Sequence, residues 1–356
     1  MMSRLLRRAS LAASILLLLS VLSLYFHSYL FCGWQLPSSS LRILLVADPQ
    51  IVGYPSASRG RLAAQDVAFN DAYIHHRFST SVSALHPTHI VLLGDLLSSE
   101  HIPDGEFALR VERLKWMLAL PPGLPEPLPP VHYLAGNHDI GYGALLDASR
   151  ADRFARAFGP LDAVHRAGGH LLVLLNAQSL EAGGRYPKAH ETTWATVDEA
   201  RHMAANESLV PLVFLHIPLH KDAGVCVDPP LTRLGYGGAV DKQNMLTPET
   251  SAALLERLAF PPFIFNGHDH EGCRVEHPGG VSEVTVRSVM AEYGGNVGLF
   301  EATWEGGKWR YAYRDCPFVD HVVVKVVVIA AVVVWAVTAV VFACTRRQTT
   351  AKPKFV

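Results

Sequence analysis

Six short apolar runs rich in β-formers punctuate the chain: Ile43–Ala47, Ile90–Leu93, Val131–Ala135, Leu171–Leu175, Leu212–Leu215 and Phe263–Phe265. Between them lie helix-compatible stretches at Leu62–Leu85, Phe107–Leu118, Ala148–Ala157, Glu191–Ala205 and Pro248–Leu258. The last carries its own start signal, with Thr247 as N-cap and Pro248 at the first helical position. Strands alternating with helices specify an α/β layered domain, because each helix must bury its apolar stripe against a sheet face. After about residue 280 strands follow one another without helices, at Val284–Arg287, Gly298–Trp304 and Trp309–Tyr313. That change predicts a second sheet packed on the first, within one domain. Pro121–Pro130 reads as a proline-rich loop, and Gly224–Gln243 as a long irregular segment over a site.

The residues that end the strands carry the chemistry. Ile43–Ala47 runs into Asp48-Pro49-Gln50, Ile90–Leu93 into Gly94-Asp95, and Val131–Ala135 into Gly136-Asn137-His138-Asp139. Leu212–Leu215 runs into His216-Ile217-Pro218, and Phe263–Phe265 into Asn266-Gly267-His268-Asp269-His270. Ligands of open α/β sheets gather at the carboxyl ends of strands. Singly, each group has a bland reading, since Gly-Asp and Asn-Gly are ordinary turn residues. Their shared placement favours a site. Carboxylate and amide oxygens mixed with imidazoles suit Mn, Fe or Zn, and not a thiolate-type structural zinc.

A formal net charge of −1 and a pI of about 7.0 exclude a strongly basic nucleic-acid binder and acidic disorder. The mean hydropathy of +0.19 comes from the ends. Residues 11–31 carry no charge and follow Arg4, Arg7 and Arg8. A helix of that length crosses a hydrocarbon layer of about 30 Å. A retained signal anchor is favoured over a cleaved signal peptide, because the run is long and no small-x-small site precedes Pro37. Val326 to Cys344 is uncharged and followed by Arg346 and Arg347, a second span over 322–344. The basic flanks place residues 1–10 and the tail 345–356 in the cytosol and residues 35–320 in a lumen.

In an oxidising lumen Cys226, Cys273 and Cys316 can pair. Cys226–Cys273 is the preferred bridge, with Cys316 free or reaching Cys32; buried thiols are the alternative. Asn206-Glu207-Ser208 is an acceptor sequon for glycosylation. Lys352 and Lys354, near the end of the tail, resemble a dilysine signal that returns membrane proteins to the endoplasmic reticulum.

The order Asp, Gly-Asp, Gly-Asn-His-Asp, His, Gly-His-x-His resembles the calcineurin-like metallophosphoesterases over residues 42–304. That resemblance implies a double β-sandwich flanked by helices, here with a transmembrane helix at each end. It also implies a site for two divalent ions, most naturally Mn²⁺, with Fe and Zn as alternatives. Asp95 would bridge the ions, Asp48 and His270 would complete one seat, and Asn137, His216 and His268 the other. His138 would act on the phosphate without holding metal, oriented by Asp139. The chain departs from the family at Gln50, where a His is usual.

Further motifs narrow the resemblance. Ala47-Asp48-Pro49-Gln50, Gln243 to Glu249, Gly267 to Cys273 and Glu292 to Asn296 look like the fungal and animal endoplasmic-reticulum phosphoesterases of glycosylphosphatidylinositol (GPI) anchor remodelling. Those enzymes imply a Mn-dependent phosphodiesterase removing an ethanolamine-phosphate side branch from an anchor mannose, thereby assisting exit from the endoplasmic reticulum. Its substrate would be GPI-anchored proteins and its setting the endoplasmic-reticulum membrane, with cycling to the Golgi. Cargo-export receptors and coat would be partners through the dilysine tail, and no nucleic acid. Tyr142, Arg185 and Tyr293 are candidates for reading the glycan or ethanolamine. A phosphoesterase of another lipid substrate, or a non-catalytic escort of anchored cargo, are the competing readings. The complete set of ligand-type residues argues against the escort.

Overall fold

Strand β1 (Leu41–Val46) is apolar at all but one position because both its faces are covered. Leu41, Ile43 and Leu45 point into the space between two sheets, while Leu44 and Val46 face helices on the outside. The computed structural model describes residues 2–36, 38–54, 60–120, 128–142, 146, 148–181, 186–234 and 240–350. The remaining strands are β2 (His89–Leu92), β3 (Val131–Tyr133), β4 (Ala163–Ala167), β5 (His170–Leu174), β6 (Val210–Phe214), β7 (Thr232–Leu234), β8 (Val240–Gln243), β9 (Phe263–Asn266), β10 (Cys273–His277), β11 (Val281–Thr285), β12 (Val297–Glu305) and β13 (Lys308–Cys316). The helices are α1 (Met2–Tyr25), α2 (His27–Phe31), α3 (Gly60–Leu85), α4 (Asp104–Met117), α5 (Asn137–Ile140), α6 (Ala148–Phe158), α7 (Ala177–Leu180), α8 (Pro187–Glu207), α9 (Pro248–Arg257) and α10 (His321–Thr350).

Two sheets form a sandwich. One runs β13-β12-β1-β2-β3, the other β10-β11-β9-β6-β5-β4. Their inner faces meet through Ile43, Leu45, Val91, Phe214, Phe265 and Phe300, all fully buried. Ile74, Phe78 and Leu114 of α3 and α4 cover the first sheet outside, and Val197, Ala200 and Leu254 of α8 and α9 cover the second. Each such buried aliphatic or aromatic side chain stabilises the fold by roughly 1.5–3 kcal/mol. Helix α9 starts as its sequence predicts, with the Thr247 hydroxyl accepting from Thr250 N at 3.2 Å.

The C-terminal strands do not build a sheet of their own, as the sequence pattern had suggested. β11 adds to β9 in the second sheet, while β12 and β13 extend the first from β1. The free edge of β1 explains this: its unpaired N–H and C=O groups take β12 antiparallel, Leu41 opposite Ala302 and Leu45 opposite Gly298. The segment read as irregular, Gly224–Gln243, contains the hairpin β7–β8, with Thr232 opposite Gln243. Asn206 is exposed in the last turn of α8.

Among the described residues two helices are long and apolar enough to cross a membrane, over Arg8–Tyr25 and His321–Cys344. The N-terminal run does not continue as one helix to residue 31. It breaks at Phe26, and α2 turns onto the domain because Ser28 is buried there. The Ser28 hydroxyl lies 2.9 Å from Thr80 Oγ1 and accepts from Arg77 Nη1 at 2.6 Å. Arg77, fully buried, also donates to Gly295 O at 2.9 Å and to Cys316 O. Cys32 is bonded to Cys316, and Cys226 to Cys273. The two apolar helices touch through Ser10 and Ser14, whose hydroxyls lie 2.6 and 2.9 Å from Thr338 Oγ1.

β1, β2 and β3 are mutually parallel, as are β5, β6, β9 and β11, so their carboxyl ends define one end of the sandwich. Cys316, the last residue of β13, pairs with Val297 beside that same end. The chain therefore leaves for α10 from the end of the sandwich where the strand-end motifs meet.

Candidate metal centre

Asp48, Asp95 and His268 hold left-handed backbone at φ 51°, 49° and 73°, a conformation that costs non-glycine residues about 1–3 kcal/mol. Each sits two or three residues after a strand, and the turn throws its side chain across the sandwich end. The flanking glycines make room. A Cβ at Gly94, where φ is +91°, would lie 2.6 Å from His216 Nδ1, and one at Gly267 2.6 Å from Asp48 Oδ2. This is the physical content of the Gly-Asp and Gly-His pairs read in the sequence.

Asp95, His216 and His268 offer donor atoms that all lie within 4.8 Å of one another. His216 Nε2 is 3.2 Å from Asp95 Oδ1 and 3.0 Å from Asn137 Oδ1. Its Nδ1–H donates to Leu93 O at 2.8 Å, which fixes the tautomer and leaves Nε2 for a ligand bond. His268 is oriented the same way, its Nε2 donating to Gln243 O at 3.1 Å. A second group lies alongside. Asp48 Oδ1 is 3.9 Å from His270 Nε2, and Gln50 Nε2 is 3.0 Å from Asp95 Oδ2 and 3.1 Å from His270 Nε2. Buried oxygens and oriented imidazoles around a shared carboxylate fit two divalent cations. Asp95 can touch both; Asn137, His216 and His268 can hold the inner ion, and Asp48 and His270 the outer. Gln50 stands between the outer donors, and its amide can reach an ion only by turning its oxygen inward.

Electrostatics agree with a cation seat. Burial raises the Asp48 carboxyl to about 8. Burial opposes charging His216, yet the neighbouring Asp95 pushes it up to about 9. Burial also opposes ionising Asp95, but His216 holds its carboxyl well below the usual range. Burial and His216 lower His268 to about 3. The pocket thus gathers positive charge onto its carboxylates, and metal binding there is linked to proton release.

His138 is not within ligand distance of the cluster's centre. Its side chain is 41% exposed, with Nε2 4.0 Å from Asp95 Oδ2. Its Nδ1 donates to Glu100 Oε1 at 3.2 Å, and that bond, against burial, raises it to about 9. The orienting role expected of Asp139 is therefore filled by Glu100. Asp139 instead accepts from Gly136 N at 2.8 Å, Leu96 N at 3.0 Å and Leu97 N at 2.7 Å, holding the Asp95 and Asn137 loops together. Sequence reasoning missed Glu100; the signal was an acidic residue on the loop leaving the Asp95 turn.

Glu283, fully buried on β11, was missed too. It accepts from Leu219 N at 2.8 Å, three residues after His216, and from Asn266 Nδ2 at 2.6 Å, two before His268. Lys221 Nζ at 3.1 Å and His277 Nε2 at 2.6 Å hold its charge, and His277 keeps the carboxyl low despite burial.

Over these groups opens a cleft of about 340 Å³ lined by His138, Tyr142, Asp228, Lys242, Asp269 and Tyr293. Tyr142 stands edge-on to His268 at 6.1 Å and Tyr293 edge-on to His270 at 4.7 Å. The Cys226–Cys273 bond ties the segment carrying Asp228 to β10. Arg185, Lys352 and Lys354 lie outside the described residues.

The calcineurin-like phosphoesterase profile matches residues 41–272. An uncharacterized protein of Schizosaccharomyces pombe is 30% identical over 73% of this chain and 69% of its own. Protein TED1 of Saccharomyces cerevisiae is 26% identical over 83% of this chain and 82% of its own. Among solved structures, a dimetal phosphatase from Danio rerio shares the fold, with a TM-score of 0.51 at 14% identity, over 80% of this chain and all of that one.

Proposed function

The chain belongs to the calcineurin-like phosphoesterases, metal-dependent hydrolases of phosphoric esters, and we propose that it cleaves ethanolamine phosphate from a mannose of protein-attached GPI anchors. The observation that carries this reading is the shared end of the sandwich. The metal cleft and the start of the apolar helix α10 lie together, so a bilayer-fixed substrate and the cleft occupy one thin layer. Confinement of both to one surface raises their effective concentration. We place residues 35–320 in the lumen of the endoplasmic reticulum with both ends cytosolic, as the arginine flanks direct.

Two bound cations, Mn²⁺ in this proposal, would neutralise the phosphodiester and supply an activated water near neutral pH. The rest falls to the chain's own side chains. His138 carries a proton into the cleft, and the bond it donates to Glu100 keeps its ring aimed with Nε2 on the Asp95 side. That proton goes to the departing mannose oxygen. Asp228 and Asp269, on the cleft wall, face the ethanolamine end, where carboxylates pair with an ammonium. Tyr142 and Tyr293 wall the two ion seats and orient the sugar.

Full-length protein in detergent micelles with Mn²⁺, given a synthetic ethanolamine-phosphate mannoside, should release ethanolamine phosphate, read by mass spectrometry. Turnover of bis-p-nitrophenyl phosphate without that release would leave a phosphodiesterase but refute the substrate.

A further inference from the structure

Gln50 is a wall between two cavities. One face of it contacts Asp95 and His270 in the metal cleft. The other lines a separate cavity of about 390 Å³, within the usual size range of small-molecule sites. The turn Ala291–Tyr293 divides the two in the same way: Tyr293 stacks edge-on to His270, while Ala291 and Glu292 line the second cavity. At its far side that cavity reaches His321 and Lys325, in the first two turns of α10. It therefore lies on the path from the metal ions to the membrane.

Its lining is half apolar, from Val67, Phe69 and Met290, as suits the C–H faces of sugar rings. Its charges are unequal. Asp71 is paired with Arg113 at 2.6 Å and Asp66 with Lys325 at 2.9 Å. Glu292 is exposed at the rim and, among the described residues, makes no hydrogen bond or ion pair. A phosphate would be repelled there. An ammonium would be held.

Resting on the substrate reading above, we propose that this cavity binds the saccharide stretch lying between the scissile phosphodiester and the lipid, and that Glu292 takes the ammonium of a non-acetylated amino sugar within it. A glycan tethered in the bilayer must run from the α10 start past Gln50 to place its phosphodiester at the ions. The cavity supplies a carboxylate acceptor and an apolar floor along that run.

The test uses full-length protein in detergent micelles and two fluorescent probes without phosphate: mannosyl-glucosaminyl-inositol and its N-acetylated twin. Anisotropy titration should show the free amine bound about tenfold more tightly, the size of one charge-assisted hydrogen bond. Glu292→Gln should erase the difference, and Val67→Trp, which fills the cavity, should weaken both probes. Equal or undetectable binding of the two probes by the unmodified protein overturns the proposal. So does discrimination that survives Glu292→Gln, or binding that ignores Val67→Trp. Neither probe carries the ester, so failure of the substrate reading shows separately, as absent ethanolamine phosphate release.

Discussion

The two candidate ion seats meet at Asp95 but are built differently. The inner one is the more enclosed: His216 is fully buried, Asn137 nearly so, His268 borders the cleft, and each imidazole is fixed by a backbone carbonyl. Glu283 braces the loops behind it from a third strand. The outer one opens to the cleft, with the His270 side chain 21% exposed and the Gln50 amide beside it in place of a second imidazole. Burial and a hydrogen-bonded surround hold a metal; exposure and one fewer imidazole let it exchange. On this geometry an ion in the inner seat would be held more tightly than one in the outer seat.

The strongest way to break this contrast is at the shared ligand. Asp95→Asn removes the charge common to both seats, so both ions and all turnover should be lost together, by elemental analysis and rate. Retention of one ion would mean Asp95 serves a single seat. Next in size is His138→Asn, which should keep both ions and the fold while slowing turnover by about 10²–10⁴-fold, the usual worth of positioned proton transfer. An ester of nitrophenol, which leaves without a proton, should suffer less than a mannoside. Equal slowing on both would remove the proton-donor role.

Smaller effects separate the seats. Glu283→Gln should weaken the tighter ion by about 10–100-fold in chelator competition, leaving the weaker one alone. A stability loss with unchanged metal affinity would reduce Glu283 to a structural brace. Gln50→His should tighten the weaker ion by about tenfold, the lower end of what changes around a metal produce. No change there would mean the Gln50 amide already serves as a ligand or that the position is not used.

The same division marks what could be read from the sequence. The gathering of Asp48, Asp95, Asn137, His216, His268 and His270 at one end was legible because chain geometry puts residues that follow parallel strands at one sheet end, whatever the loops do. Glu100 and Glu283 were not, since their roles depend on which loops and strands become neighbours. Asp139 illustrates the cost: adjacent to His138 in sequence, it turns away to bind three backbone N–H groups. Strand membership failed for the same reason. The apolar pattern marks β11, β12 and β13 as strands, but only register decides that β12 joins β1 and β11 joins β9. The turn at Phe26 within the N-terminal apolar run was not legible either, because Ser28 is held by Arg77, a partner 49 residues away.

The proposed activity is removal of ethanolamine phosphate from anchored glycans. Mass spectrometry of GPI anchors from cells carrying either the unmodified protein or Asp95→Asn tests it most directly. The anchors of Asp95→Asn cells should be heavier by one ethanolamine phosphate on a mannose. Identical anchor masses in the two cell lines, with the unmodified protein present and metal-loaded, would contradict the claim.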